Sequence, residues 1–329
     1  METSQSPWKV MREAHRLASQ VWPQYSHRFS RRDFTLPQLF ACLVVREMMK
    51  LSYRRTEALL RDAPPWLSAI GMTRAPDHNT LWRAFDVLLK DRQINRMMDL
   101  LSELFAQERL LNLGARPLTL DSTCYERRHR SRHYDRVCRK TKLGEGEKYG
   151  KPAEKRAETP ARVNRRRSRT VRQMPKLALA VASGCHAILA ARTHIGNRSD
   201  NPDFEPLLYH SWRRADVRTV VADAGFDSED NHRVARLDMS VRSIIPPRIG
   251  RPGDGPPQGR YRRLMKQRFS RKADQKQYGQ RAQSETVNSM MKRNFGDALR
   301  SVNPQRRKRE LLLRSLTHDI MLLANRKRG

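Results

Sequence analysis

The order of apolar and polar residues divides the chain in two. Up to about residue 113 the pattern is helical. Leu36, Leu39, Phe40, Leu43 and Val44 recur at i, i+3, i+4, i+7 and i+8, one apolar stripe of an amphipathic helix. Ser52 is placed to cap a short helix through Leu59 and Leu60, stopped by Pro64 and Pro65, and Asp77 or Asn79 to cap the next, carrying Leu81, Trp82, Phe85 and Leu88. Ile94, Met97, Met98, Leu101, Leu104 and Phe105 mark a further helix. After Gly114 the pattern changes to strands. Arg116–Asp121 reads as a short strand; Leu177–Ala182 and Ala187–Thr193 read as a hairpin turning at Ser183-Gly184-Cys185-His186. A helix over Phe204–Trp212, a strand over Val217–Ala222, a helix over Glu229–Leu237 and a strand over Ser243–Ile245 follow, then a Gly/Pro-rich loop and two long helical stretches. The expected class is α/β: a mixed sheet with flanking helices over 116–329, preceded by an all-α N-terminal domain over 1–115.

Charge changes the picture. Lys and Arg total 67 against 34 Asp and Glu, a formal net charge of +33. Such an excess calls for a polyanionic partner and speaks against an ordinary metabolic enzyme, including a glycosidase built on paired carboxylates. Residues 127–172 hold 18 Lys/Arg and 5 Asp/Glu without apolar periodicity. This basic insertion, over about 127–175, is expected to be flexible until a polyanion orders it, either as a phosphate-contacting arm or as a solvated spacer. Arg54, Arg55, Arg61, Arg74 and Arg83 lie among the short N-terminal helices, which could form a helix-turn-helix reader or only a packing domain. The apolar run Leu177–Ala191 is too short for a membrane helix, no apolar leader follows Met1, and the 4 scattered cysteines propose no disulfide framework. A reducing, cytoplasmic, nucleoid-associated setting is expected. Cys124, His129, His133 and Cys138 are of zinc-binding type, but they lack the paired Cys-x2–4-Cys spacing of common zinc sites, so a basic loop that merely contains them is the favoured reading.

Candidate chemistry sits at two strand ends and on one helix. Asp121 ends Leu118-Thr119-Leu120 and Asp223 ends Val220-Val221-Ala222. Each alone reads as a turn or cap residue; carboxylates that converge at a sheet edge would repel unless a hard cation such as Mg²⁺ or Mn²⁺ lay between them. Glu285 supplies a third carboxylate. Tyr278, Arg281, Glu285 and Lys292 are spaced to fall on one stripe about 60° wide at about 100° per residue, with Val287, Met290 and Met291 on the opposite, core-facing side. Taken alone, this is also the pattern of a solvated face with i, i+4 ion pairs. Gly279 is the one residue that could delay the start of this helix and leave Tyr278 outside it.

With these residues in view the chain resembles insertion-sequence transposases of the DDE type, the cut-and-paste group with a Tyr-x2-Arg-x3-Glu-x6-Lys signature. Tyr278, Arg281, Glu285 and Lys292 match it position by position; Leu118–Thr123 matches the first-Asp motif, and Val221–Ser228 comes close to Asp-x-Gly-Tyr/Phe-Asp-Ser. Ser243–Arg248 looks like the family's next strand, and the resemblance spans about Pro117–Leu323. It implies an RNase H-like core with Asp121, Asp223 and Glu285 as ligands of two divalent ions, and Tyr278, Arg281 and Lys292 on DNA phosphates. Asp227 is read as supporting the turn after Asp223 and not as a ligand. The implied substrate is double-stranded DNA, at element ends and at the target, held by a homodimer. The competing readings are a nuclease-like or inactive relative and a non-catalytic nucleic-acid scaffold; the scaffold would have no use for three carboxylates so placed.

Overall fold

The computed structural model describes residues 2–127, 174–196, 198–248 and 257–326. All but the first residue of the basic segment 127–172, and with it His129, His133 and Cys138, lies outside the described residues. Cys124 is described and is a half-buried free thiol.

The N-terminal part folds as helices α1 (Pro7–Val21), α2 (Leu36–Met48), α3 (Tyr53–Asp62), α4 (Pro64–Ser68), α5 (His78–Leu88) and α6 (Asp91–Gln107). Their starts follow local chemistry. The Arg55 amide donates to Ser52 Oγ at 3.3 Å, and the Asn79 and Thr80 amides donate to Asp77 Oδ1 at 2.8 and 2.9 Å. Helix α2 opens with a reciprocal cap: the Gln38 amide donates to Thr35 Oγ1 and the Thr35 amide to Gln38 Oε1.

Strands β1 (Leu118–Cys124), β2 (Pro175–Ala182), β3 (Ile188–Ile195), β4 (Thr219–Ala222) and β5 (Arg242–Ile244) form one sheet in the order β3-β2-β1-β4-β5. β1, β2 and β3 pair antiparallel, whereas β1, β4 and β5 run parallel. The β2–β3 turn uses left-handed backbone at Gly184 (φ 96°) and His186 (φ 65°), which lets a short connection reverse the chain. α7 (Asn201–Arg214) links β3 to β4, and α8 (Glu229–Arg233) links β4 to β5. Past Arg233 the expected helix widens into a π-helical turn over Val234–Asp238, where Arg236 donates to the Ser243 hydroxyl and carbonyl at 2.9 and 2.7 Å. The two long C-terminal helical stretches of the sequence reading are broken into four: α9 (Arg260–Arg268), α10 (Lys272–Gly279), α11 (Ala282–Phe295) and α12 (Pro304–Ala324).

Helix α12 joins the halves. Nearly every side chain from Leu311 to Leu323 is buried, because α12 packs on α1, α2 and α6 as well as on β3. One apolar core therefore runs from α1 and α2 through α12 to β2 and β3. Charges are buried with it. Glu310 accepts from the Arg300 and Ser301 amides at 3.0 and 2.8 Å and from Arg314 Nη2 at 2.9 Å. Arg314, fully buried, also donates to the carbonyls of Gly296 and Ala298, both at 2.8 Å. Glu47 on α2 pairs with Arg46 and Arg300, and lies 3.5 Å from Arg314 Nε. A small second cluster, Val221, Ile244 and Met265 with Phe269 and Tyr278 against it, anchors α9 and α10 at the other edge of the sheet.

Candidate active site

The sheet register places the two aspartates. Leu120 on β1 stands opposite Ala222 on β4, so Asp121 and Asp223 follow the last paired residues of neighbouring parallel strands. That is the edge of an α/β sheet where ligands bind, between strands whose connections leave in opposite directions. Asp223 is exposed, and its Oδ1 accepts from the Ala224 amide at 2.8 Å. Asp121 is mostly buried. Asn288 Nδ2 donates to its Oδ2 at 2.9 Å, and Arg281 Nη1 stands 4.0 Å from its Oδ1. Burial pushes the Asp121 carboxyl up, and the Ser122 amide, Arg281 and Asn288 offset only part of that shift.

Glu285 lies in the first turn of α11, half-exposed, 2.5 Å from Arg281 Nη2. Burial works against the Arg281 charge, yet Tyr278, Glu285, Asp223 and Asp121 around it hold its pKa above the ordinary value. Arg281 is thus the shared counter-charge of all three carboxylates. Tyr278 stacks edge-on against Phe269 at 5.0 Å, and burial, together with Asp223 and Glu285, raises its hydroxyl pKa against the pull of Arg281. Lys292 lies two turns farther along α11, its Nζ 5.5 Å from the ring centre of Tyr125. The fully buried Tyr125 ring carries Arg314 as well, at 5.6 Å. Val287, Met290 and Met291 face the core as expected.

One expectation is corrected. Tyr278, Arg281, Glu285 and Lys292 do not share a single helix: Tyr278 lies in the last turn of α10, and Arg281 stands just before α11. At the joint the hydrogen bonds tighten to i+3 spacing, from the amides of Gln280, Arg281, Gln283 and Ser284 to the carbonyls of Gln277, Tyr278, Gln280 and Arg281. Gly279, the poorest helix former among these residues apart from proline, sits at that joint. Asp227 is held by basic partners. It accepts from the Arg262 guanidinium at 2.8–3.1 Å and from the Arg248 amide at 2.8 Å. Burial would raise its carboxyl, but His232, Arg262 and that amide hold it at about 2.

Sequence reasoning missed Asn288. The signal was present, since Asn288 stands at i+3 from Glu285 and so on a neighbouring part of the same face. Among the described residues no group of three or more His, Cys, Asp or Glu side chains stands close enough to enclose a metal ion as placed. The donor chemistry nevertheless suits a hard divalent cation. The set is all oxygen, Asp121 is short of compensating charge, and Asn288 Oδ1 is buried without a hydrogen-bond partner.

Comparison with known families decides what this geometry belongs to. The family described as Transposase DDE domain matches residues 115–320, and the Transposase domain (DUF772) matches residues 4–86. The chain belongs to the DDE transposase family. Neither the comparison with curated proteins nor that with solved structures returned a match. The DDE match takes in all five strands and most of α12, and the second match takes in α1 to α4 and most of α5. Transposases act on DNA, which gives the net charge of +33 its partner, and the DDE family depends on divalent metal. Among the described residues of this transposase no helix is long and apolar enough to cross a membrane.

Proposed function

We propose that the chain is an active transposase that cleaves phosphodiester bonds at the ends of its element and joins the freed 3′-hydroxyl to target DNA, on an RNase H-like core. The supporting observation is the register that sets Asp121 and Asp223 side by side just past the last β1–β4 pair, Asp121 within β1 and Asp223 at the end of β4, with α11 laid across so that Asn288 touches Asp121 and Arg281 touches Glu285. Asp121, Asp223 and Glu285 are the residues that would hold two Mg²⁺ or Mn²⁺ ions. Bound there, the ions supply Lewis acidity to the attacking and leaving oxygens of an in-line displacement.

The protein's own groups do the rest. Asn288 fixes the orientation of the Asp121 carboxylate through its amide. Arg281 can exchange its carboxylate contacts for the oxygens of a scissile phosphate, gripping two at once. Tyr278, whose raised pKa keeps the hydroxyl protonated, donates a hydrogen bond to the same phosphate region. Lys292 meets a phosphate farther along the strand as a point charge. Residues 1–115 form the domain that binds element ends, residues 116–329 the catalytic domain, and two copies hold the two ends together in a homodimer working at the nucleoid in the cytoplasm.

The test uses the flanking DNA of the element with Mg²⁺. The wild-type chain should nick at the element ends. Asp121→Asn, Asp223→Asn and Glu285→Gln should each abolish nicking while leaving DNA binding largely intact, because neutral amides hold hard divalent ions poorly. A variant that cuts at the wild-type rate removes its residue from the site, and a wild-type chain that never cuts any DNA sinks the reading.

A further inference from the structure

Helices α9 and α10 present a surface that the catalytic reading does not use. Arg260, Arg263 and Lys266 lie at i, i+3 and i+6 on the exposed side of α9, opposite the buried Met265. Lys272 and Lys276 are exposed on α10, opposite the buried Asp274, and Arg268 and Arg271 are exposed near the bend between the helices. Between residues 257 and 280 the one carboxylate is Asp274, paired with Arg242. The outward face therefore carries cations and no acid.

Such a pair of helices repels itself. Like charges at i, i+3 and i, i+4 destabilise a helix, and cations in the first turn oppose the helix dipole. Carboxylates from elsewhere hold it in place. Glu229 on α8 accepts from the Tyr261 and Arg262 amides, both at 3.0 Å, and so caps α9 from outside. Asp227, in the turn after Asp223, holds the Arg262 side chain. Gly259, at φ 97°, leaves room for this clamp: a Cβ there would stand 2.2 Å from Glu229 Oε2. The aromatic residues of the element are half-buried, with Phe269 and Tyr278 packed against Met265, Val221 and Ile244. What points outward is fixed positive charge on a docked support, continuous through Tyr278 with the candidate active site.

We infer that the outward face of α9 and α10 binds the sugar-phosphate backbone of duplex DNA running out of the active site, without reading its sequence. The inference rests on the proposed function for the path of that DNA. The charge is complementary, and Arg260 to Lys266 spans about 9 Å at 1.5 Å per residue, against one duplex charge per about 1.7 Å of axis. The large exposed aromatics that would stack single-stranded bases are missing from this face among the described residues.

The experiment compares the full chain with a Lys266→Gln, Lys272→Gln, Lys276→Gln variant, measuring affinity for a short duplex of arbitrary sequence by fluorescence anisotropy across a salt series. Loss of three phosphate contacts should lower the slope of log affinity against log salt by about 2.7, at about 0.9 per contact, whatever the duplex sequence. A control variant, Arg116→Gln, Arg213→Gln, Arg218→Gln, removes the same charge from exposed positions before β1 and β4, on the N-terminal side of both strands, and should keep the slope. Circular dichroism confirms that both variants are folded. The inference is overturned if the lysine variant keeps the wild-type slope, if the control loses as much, or if single-stranded DNA or RNA binds more tightly than the duplex. If the wild-type chain cuts its element ends and the lysine slope is unchanged, this inference alone falls. If the slope drops as stated but no DNA is ever cut, the surface stands and the catalytic reading falls.

Discussion

On α12, Glu310 is fully buried, and burial alone would raise its carboxyl. Arg314, the Arg300 amide and Ser301 bring it below its ordinary pKa instead. On β1, Asp121 is less deeply buried, yet its carboxyl is pushed up, because the Ser122 amide, the Asn288 side-chain amide and a guanidinium at 4.0 Å do not replace the water it has lost. Glu310 is saturated by the protein, and Asp121 is left short, as a group that takes up a ligand from outside would be.

Removing a partner from the saturated side should have the largest effect. Arg314→Met leaves Glu47 and Glu310 buried with reduced compensation and should cost about 3–5 kcal/mol of stability in denaturant unfolding. Asp121→Asn, by contrast, should stay within about 1 kcal/mol of the wild type, since it removes a charge that burial already penalises. Equal losses in the two variants would erase the contrast.

A smaller effect sharpens the other side. Asn288→Ala frees the Asp121 carboxylate from its orienting amide, and should weaken the Mg²⁺ midpoint of DNA cleavage by about 10–100-fold. Its melting temperature should change little. A variant with wild-type Mg²⁺ dependence would make Asn288 a packing residue.

The smallest effect concerns Asp319, the core carboxylate that resembles Asp121 more than Glu310. It is buried on α12, both oxygens face the Ile188 amide at 3.0 and 3.2 Å, and burial raises its pKa well above the ordinary value. With the folded pKa above the unfolded one, its contribution to stability is full below the unfolded value and is lost as pH rises through the folded value. Asp319→Asn keeps an oxygen acceptor and loses the titration. Its melting temperature should therefore exceed that of the wild type by a few degrees at neutral pH and converge with it near pH 4. Parallel melting curves across that range would show that Asp319 carries no such penalty.

Much of this was legible before the structure. Asp223 could be found because β4 ends visibly before it, whereas the expected end of β1 at Asp121 is corrected: the strand runs on to Cys124, because Asp121–Cys124 go on pairing with Lys176–Leu179 of β2 after the pairing with β4 stops. The core face of α11 was marked by Val287, Met290 and Met291. The joint at Gly279 was visible as a residue but not as an outcome, because whether a helix bends or continues depends on which carbonyls the next amides reach. Arg314 and Glu310 gave no signal at all. Charged residues in a helix of apolar periodicity read as its solvated side, and their partners, Glu47 and the amides of Arg300 and Ser301, are brought to them only by the packing of α2 and the loop before α12. Glu229 was hidden in the same way, since a cap supplied by another helix leaves no local motif.

The place of α12 in the chain has a consequence for how the protein is made. Asp121, Asp223 and Glu285 all precede Pro304 in the chain, so every candidate metal-holding group is synthesised before the helix that covers the apolar faces of α1, α2, α6 and β3. A message cut short or shifted in frame between Lys292 and Pro304 would encode every candidate site residue on a chain that cannot close its core. Completion of the candidate site is thereby tied to synthesis of α12, and the exposed intermediate is the form that chaperones and proteases meet first.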